Sequence, residues 1–448
     1  MMNLFLIPLL FFFYDCCFFL GLVAYLPFYF YRKKITFRAL REKFGFITLT
    51  ASRQQRIWIH VVSVGEAILI APLVTRLREL YDNPIVISTT TLTGNKIARD
   101  KYSSFAQIIF FPFDFSFIVV RALRLIRPQL FIAVETEIWP NLFYRLKCRG
   151  IPIVIVNGRI SDKAFRRYRL LGPIIEQVLK NCSYVGVQSH IYRERFLALG
   201  CPSEKITISG NLKFESIIPD QEKLSVIRKL YVPLLKPEGN LVVVAASTHH
   251  PEEEIVLEIL RDTLDFGNPY TLVIAPRHTT RVPAIEESVR RFGFSPVRVS
   301  TPDTKIFGGG GKSVYILDTL GELLYFYSIA DVCFVGGSLA SCGGHNILEP
   351  LYFLKPTCFG PHMENFRDVE EVVLARGAGI RVSDATQLKE VLLRLVNDVS
   401  LRENLRLKAL SVFNEERRGL QKNIEMIVEA VKSHTVPAPI KSRNACGI

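Results

Sequence analysis

From Arg56 onward, short apolar runs alternate with stretches in which apolar residues recur every three or four positions. Ile57–Val62 (IWIHVV) reads as a strand and Glu66–Leu80 as a helix. Ile85–Ser88 is a strand followed by a helix from about Gly94, and Ile108–Pro112 is a strand followed by the helix Phe117–Ile126. Leu130–Val134, Ile153–Val156 and Tyr184–Val187 continue the series. Strands alternating with helices imply parallel βαβ units. Strands buried on both faces read as continuous apolar runs, as these do. The pattern restarts after Gly210 with Leu241–Ala245, Thr271–Ala275, Val314–Leu317, Val332–Val335 and Thr357–Phe359. Pro219–Lys236 separates the two sets, with Pro233 and Pro237 as punctuation. The pattern predicts an α/β protein of two Rossmann-like, doubly wound domains, residues 35–218 and 219–448, facing each other across a cleft. Ligands of such sheets bind beyond the carboxyl ends of the strands, so the loops there are where chemistry is sought.

The stretch before residue 35 has a different pattern. Leu4–Tyr31 is apolar and aromatic with one charge inside it, Asp15. It is long enough for a span of about 20 apolar residues, and no small-residue cleavage site follows it. Arg32, Lys33, Lys34, Arg38, Arg41 and Lys43 come next, opposed only by Glu42. That flank keeps the body on the cytoplasmic side and suits anionic headgroups. Residues 1–34 are therefore expected to be a membrane-anchoring helix, single-pass or, because a mid-bilayer carboxylate costs about 2.5–3.5 kcal/mol, monotopic.

Composition narrows the partners. A chain of 448 residues exceeds what one hydrophobic core usually supports. With 49% hydrophobic and 22% charged residues it is neither disordered nor fibrous. A mean hydropathy of +0.23 fits one greasy segment on a globular body. The net charge of +14 implies an anionic partner: nucleic acid, a membrane surface or a phosphorylated substrate. Nothing resembling a helix-turn-helix, an RNP motif or a zinc module accompanies that charge, which disfavours a nucleic-acid binder. Nine Cys without CxxC pairs read as reduced thiols of a cytosolic body.

Candidate chemistry sits after the apolar strands. Ser63-Val64-Gly65-Glu66 follows IWIHVV and puts Glu66 in the first turn of a helix, as a general base or as a complement to the helix dipole. Glu135-Thr136-Glu137-Ile138-Trp139-Pro140 follows the next such strand. One carboxylate there need face the cleft, and Pro140 also suits a helix start. Lys213, in Gly210–Glu215, suits a phosphate or carboxylate as a point charge. Ser247–Glu254 carries two His and three Glu after LVVVA. Adjacent His side chains diverge and HExxH spacing is missing, so it reads as a helix start that can bind an anion rather than as a metal site. Arg277, at the end of TLVIA, offers a fork for phosphate. Asp318–Leu323 follows a further strand. Gly336-Gly337-Ser338 leads to Gly343–Pro350, where glycines admit a phosphate and Glu349 can accept from a ribose diol. Gly308–Ser313 (GGGGKS) mimics a phosphate loop, but position 306 is Ile and the stretch precedes a strand, so it reads as a flexible loop. Lys163–Tyr168 and Arg121–Arg127 are basic and aromatic, suited to lipid phosphates or to a solvated helix face.

Taken together, SVGEA at 63–67, ETEIWPNL at 135–142, NGRIS at 157–161, GNLKFE at 210–215, ASTH at 246–249, APRH at 275–278, DTLGEL at 318–323 and GGHNILEP at 343–350 resemble the 3-deoxy-D-manno-octulosonic acid (Kdo) transferases of lipopolysaccharide synthesis. The resemblance runs in order from about residue 60 to 365. It implies a GT-B glycosyltransferase with the acceptor, a lipid A precursor carrying two phosphates, on the first half and CMP-Kdo mainly on the second. It places the catalytic base on Glu66 and the charge-stabilising positions on Glu137 (or Glu135, since the motif is ETE) and Lys213. It places the CMP contacts on Pro276, Arg277, Leu317, Asp318, Thr319, Asn346, Ile347, Leu348 and Glu349. It implies inversion at the anomeric carbon, transfer of one or more Kdo, no metal or other cofactor, no nucleic acid, and inner-membrane lipids as neighbours. Another GT-B enzyme using a UDP- or ADP-sugar is the alternative.

Overall fold

The computed structural model describes residues 11–24, 36–236, 240–265, 270–301 and 313–434. They divide into two units, Met1–Ser216 with Glu416–Ile448, and Ile217–Glu415.

The first unit is built on seven strands: β1 Arg56–Val61, β2 Ile85–Thr89, β3 Ala106–Phe110, β4 Pro128–Val134, β5 Ile153–Gly158, β6 Tyr184–Val187 and β7 Ile206–Ile208. Their order is β3-β2-β1-β4-β5-β6-β7, all pairs parallel. The alternating side chains of each strand go to opposite layers. Trp58, Phe131 and Ile155 pack with the helices Ser116–Ile126, Pro140–Lys147 and Gly172–Asn181. Ile57, Ile59 and Ile132 pack with Ala71–Leu80 and Leu92–Tyr102. Because helices cover both faces, every position of β1 and β4 is buried. At about 1.5–3 kcal/mol for each large apolar side chain, that burial holds the sheet between its two helical layers. The chain runs outward from β1 to β3 and then returns to place β4 beside β1. The carboxyl ends of β1 and β4 are thus the switch point at which such sheets bind ligands.

The second unit repeats the plan with β8 Leu241–Thr248, β9 Tyr270–Pro276, β10 Ser295–Arg298, β11 Ser313–Ile316, β12 Val332–Val335, β13 Thr357–Phe359 and β14 Ile380–Arg381. The order is β10-β11-β9-β8-β12-β13-β14, again parallel, and the reversal falls between β8 and β12.

Several expectations change. The expected helix Glu66–Leu80 is two helices, Val64–Leu69 and Ala71–Leu80, meeting at Ile70 ahead of Pro72. The expected divider Pro219–Lys236 is largely a helix, Gln221–Leu235, capped by Asp220 and continuing through Pro233. Three edge strands, β7, β10 and β14, carry too short a run to stand out. The second domain does not extend to residue 448 as expected. Helix Gly419–His434 returns to the first unit, where Ile424, Ile427, Ala430 and Val431 complete the apolar layer under β1. The GGGGKS stretch lies outside the described residues except Ser313, which opens β11.

Of the expected anchor, residues 1–10 and 25–35 lie outside the described residues, including Arg32, Lys33 and Lys34. Residues 11–24 are helical. Among the described residues no helix is long and apolar enough to cross a membrane. Asp15, the charge that made a span costly, is turned to the protein: its Oδ1 accepts from Asn141 Nδ2 at 2.7 Å and from Ser116 N at 3.2 Å. Beside it the Tyr14 hydroxyl donates to Asp114 at 3.1 Å, and Phe11 stacks on Tyr144 at 4.5 Å. Asp114 is fully buried and also accepts from Asn141 N and Leu142 N, yet burial pushes it up to about 7. Phe12, Phe13, Phe19, Leu20 and Val23 are exposed on this helix. One residue of the expected lipid-facing flank is buried, while another stays exposed in an ion pair. Lys43 is buried and donates to Thr90 O at 3.2 Å, and Arg38 pairs with Glu42 at 2.8 Å.

Candidate active site

In the first unit the chain leaves β1 through Val62 and Ser63. Ser63 caps the helix Val64–Leu69, its Oγ accepting from Glu66 N at 3.3 Å. Glu66 answers in kind. Its Oε1 accepts from Ser63 Oγ at 2.9 Å and its Oε2 from Val62 N at 2.7 Å. Both readings of Glu66 therefore meet in one residue: it completes a reciprocal cap, and its carboxylate is held in a fixed orientation at the strand end. Burial nevertheless pushes Glu66 up to about 7, helped by the charges of Glu135 and Glu137 and opposed by the Val62 and Ser63 bonds. A carboxyl that exchanges its proton near neutral pH is suited to general base work.

Glu135 follows β4 in the left-handed region, φ 61°, with its N–H donating to Val156 O of β5 at 3.0 Å. A side-chain-bearing residue held there is strained and marks a site of function more often than chance. The turn carries the chain on to Glu137, whose carboxylate lies 3.5 Å from His60 Nε2. His60 is fully buried in β1, stacked on Phe111 at 3.8 Å, with Nδ1 against Ser88 Oγ at 3.0 Å. From the helix Asp162–Leu170, the Tyr168 hydroxyl donates to Thr136 O at 3.0 Å and steadies the same turn. Burial, with the nearby Glu137 charge, pushes Tyr168 up to about 12.

Lys213 is placed through its neighbours. Asn157, at the end of β5 and also left-handed at φ 56°, accepts from Leu212 N with its Oδ1 at 3.0 Å. Asn211 caps the turn Leu212–Glu215 by accepting from Lys213 N, and Glu215 accepts from Leu420 N at 2.6 Å. Glu66 thus follows β1 and Glu135 and Glu137 follow β4, while Lys213 follows the edge strand β7 and is tied to the carboxyl end of β5 through Asn157.

In the second unit the residues expected to contact a nucleotide leave the carboxyl ends of β11, β9 and β12. Arg277 follows β9, is exposed, and its backbone N–H donates to Thr248 O at 3.1 Å. Pro276 closes the strand and is buried. Asn346 Nδ2 donates to Glu349 Oε1 at 3.1 Å, and Asn346 Oδ1 caps Leu348 N. Burial raises Glu349, while the Asn346 bond and the Arg277 charge pull the other way. Arg277, Asn346 and Glu349 therefore act on one another. Asp318 accepts from Ser300 N at 3.0 Å and Ser300 Oγ at 2.5 Å, and Thr319 donates to Glu322. Leu317, Ile347 and Leu348 are buried in the core, so their main chain, not their side chains, is what a ligand could meet.

Two features escaped the sequence. Glu252, fully buried at the start of the helix Glu252–Asp265, accepts from five backbone N–H groups: His249, Gly337, Ser338, Leu339 and Ala340, at 2.7–3.1 Å. One carboxylate thus shapes the loop after β12 into its glycine-rich form. Gly336 cannot be replaced there, because a Cβ would stand 2.5 Å from Glu252 Oε2. The other feature is a contact between His249 and His345, whose Nε2 atoms are 3.0 Å apart. The sequence signal for both was the His-His-Pro-Glu run, which spells a helix start equally well. Among the described residues no group of three or more His, Cys, Asp or Glu could hold a metal ion.

Residues 38–216 match the family described as 3-deoxy-D-manno-octulosonic-acid transferase (kdotransferase). The chain is 32% identical over 393 residues to a 3-deoxy-D-manno-octulosonic acid transferase of Haemophilus influenzae, covering 87% of this chain and 90% of that one. It is 34% identical over 374 residues to a bifunctional glycosyltransferase/methyltransferase of Fusobacterium nucleatum, covering 83% of this chain but only 56% of that protein's length. In fold, it resembles a UDP-GlcNAc 2-epimerase from Neisseria meningitidis bound to UDP-GlcNAc, with TM-score 0.56 at 14% identity, covering 85% of this chain and 100% of that one.

Proposed function

This chain belongs to the Kdo transferase family, and from that premise we propose that it moves Kdo from CMP-Kdo to a sugar hydroxyl of a bisphosphorylated lipid A precursor. The chain is a glycosyltransferase; the acceptor, the number of Kdo units and attachment to the inner membrane belong to the proposal. The carrying observation is Glu66: a carboxyl pushed up to about 7, fixed by two hydrogen bonds and flanked by two further carboxylates at a sheet switch point.

Glu66 takes the proton of the acceptor hydroxyl as its oxygen attacks the anomeric carbon of Kdo. The bond from that carbon to the phosphate oxygen breaks, and the electron pair leaves with CMP. Inversion at one centre needs one base and stabilisation of the leaving group, not a second carboxylate nucleophile. Glu137 disperses positive charge at the reacting ring, with His60 behind it. Lys213 and Arg277 supply positive charge for the carboxylate and phosphate groups. Asn346 and Glu349 hold the ribose. The charge of +14 favours capture of two anionic substrates. The exposed aromatic side chains of helix 11–24 support a lipid surface as neighbour, on the cytoplasmic side of the inner membrane.

The test is incubation of the purified chain with CMP-Kdo and a bisphosphorylated lipid A precursor, read by mass spectrometry of the lipid. Mass increments of one or more Kdo are expected, and CMP, not UDP, should compete. Protection by UDP with no Kdo increment would instead favour a different sugar donor.

A further inference from the structure

His249, after β8, and His345, in the loop after β12, form a pair that the reaction above does not use. Their ring planes are 5° apart and their centres are 5.2 Å apart, yet the two Nε2 atoms are only 3.0 Å apart. The nitrogens are closer than the centres by about one ring width, so the rings meet edge to edge. That is the geometry of an in-plane hydrogen bond between imidazoles. One Nε2 must carry a proton and the other a lone pair. A neutral imidazole has one N–H, so the two tautomers are coupled: whichever ring donates at Nε2 has a bare Nδ1, and the other has Nδ1–H. A further proton turns both outer nitrogens into donors.

The surroundings hold the free pair neutral. Burial pushes His345 down to about 4, with Arg277, His249 and His278 adding to the effect. Burial also lowers His249, aided by His278 and Arg281 and opposed by Glu252 and Glu253. Glu252 is engaged by five N–H groups and Glu253 by Arg281 at 2.6 Å. The rings have little room to move: a Cβ on Gly337 would come within 2.8 Å of His345 Cδ2 and 3.3 Å of His249 Cδ2. Arg277 is the switchable member of this set. An anion on its guanidinium cancels the charge that disfavours imidazolium and replaces it with one that favours it.

We propose that the His249–His345 pair is a proton-linked phosphate sensor of the nucleotide pocket: a nucleoside monophosphate bound at Arg277 draws one proton from solvent onto the pair, which then holds the phosphate with a charged donor. The proposal rests on reading the second unit as the donor-nucleotide site. It predicts that the phosphate, not the base or ribose, triggers the uptake.

The experiment is ¹⁵N spectroscopy of the full chain with labelled histidine at pH 7, free, with CMP and with cytidine. In the free chain both rings should be neutral, with one Nε2 protonated and one bare. Saturating CMP should convert one ring to imidazolium, and cytidine should not. Calorimetry between pH 7 and 8, where the CMP phosphate is largely ionised, should show CMP affinity falling by up to about tenfold per pH unit. In His345→Gln and His249→Asn that slope should vanish while CMP still binds. Bound CMP with both rings still neutral, or a slope that survives in both variants, would overturn the inference alone. CMP that binds nowhere would overturn it together with the reading of the second unit.

Discussion

The Oε2 of Glu66 accepts the backbone N–H of Val62 at 2.7 Å, four residues back along the chain. The bond ties the carboxylate to the last turn of chain leaving β1, so the acid does not swing with solvent. A glutamine at this position keeps an acceptor for that N–H but cannot take a proton. E66Q should lower Kdo transfer by about 10²-fold or more, a typical share for a general base, with CMP affinity unchanged. A product assay alongside calorimetry checks this, and turnover near wild type would remove Glu66 from the role of base.

The same group makes stability depend on pH. Folding raises Glu66 from 4.5 to about 7, so the folded chain binds this proton more tightly than the unfolded one. The cost of burying the charge is absent below pH 4.5, grows between 4.5 and 7, and is constant above. E66Q lacks it. Melting curves should show the variant gaining on wild type between pH 5 and 8, by about 1–2 kcal/mol once partial exposure is allowed for. An equal gap at both pH values would contradict the burial argument.

Glu135 and Glu137 both raise Glu66, Glu135 more strongly. E135Q should therefore move the acid limb of the pH–rate profile downward while leaving most of the plateau rate. E137Q should lower the plateau at least about tenfold, because it removes the charge beside the reacting ring. The reverse pattern in the two profiles would assign the charge-stabilising role to Glu135.

Glu252 satisfies five N–H groups in a fully buried position. E252A leaves those donors without their acceptor, each costing about 1–3 kcal/mol if it finds none. The second unit should lose at least about 3 kcal/mol of stability, and CMP affinity should fall more than tenfold. Thermal melting and CMP titration test both. A variant that melts and binds like wild type would show that the loop holds its shape unaided.

Asn141 joins helix 11–24 to the body through Asp15 and the Asp114 carbonyl. N141A should leave residues 11–24 exchanging amide hydrogen markedly faster, with the sheet unchanged. Unchanged protection in that helix would mean that the Phe11–Tyr144 stack and the Tyr14–Asp114 bond suffice to hold it.

Most of the strands could be read from the chain because each is an apolar run a few residues long, covered on both faces. The short edge strands β7, β10 and β14 could not, since an edge strand needs little apolar surface. Glu66, Glu135 and Arg277 stood out because they follow such runs directly, whereas Lys213 and Glu349 stood out through the motifs around them. His60 was hidden inside a run, where nothing distinguishes a core histidine from one that backs a carboxylate. Asp15 read as an obstacle to a membrane span; its partners Ser116 and Asn141 lie more than 100 residues away.

The βαβ alternation and the placing of candidate side chains at strand ends were legible along the chain, because hydrophobic period and capping chemistry are local. The long-range pairings came from the fold: residues 419–434 complete the first unit, Glu252 shapes a loop about 85 residues away, and His249 meets His345. Those depend on which loops the sheet order brings together, and on burial that no single stretch of chain encodes.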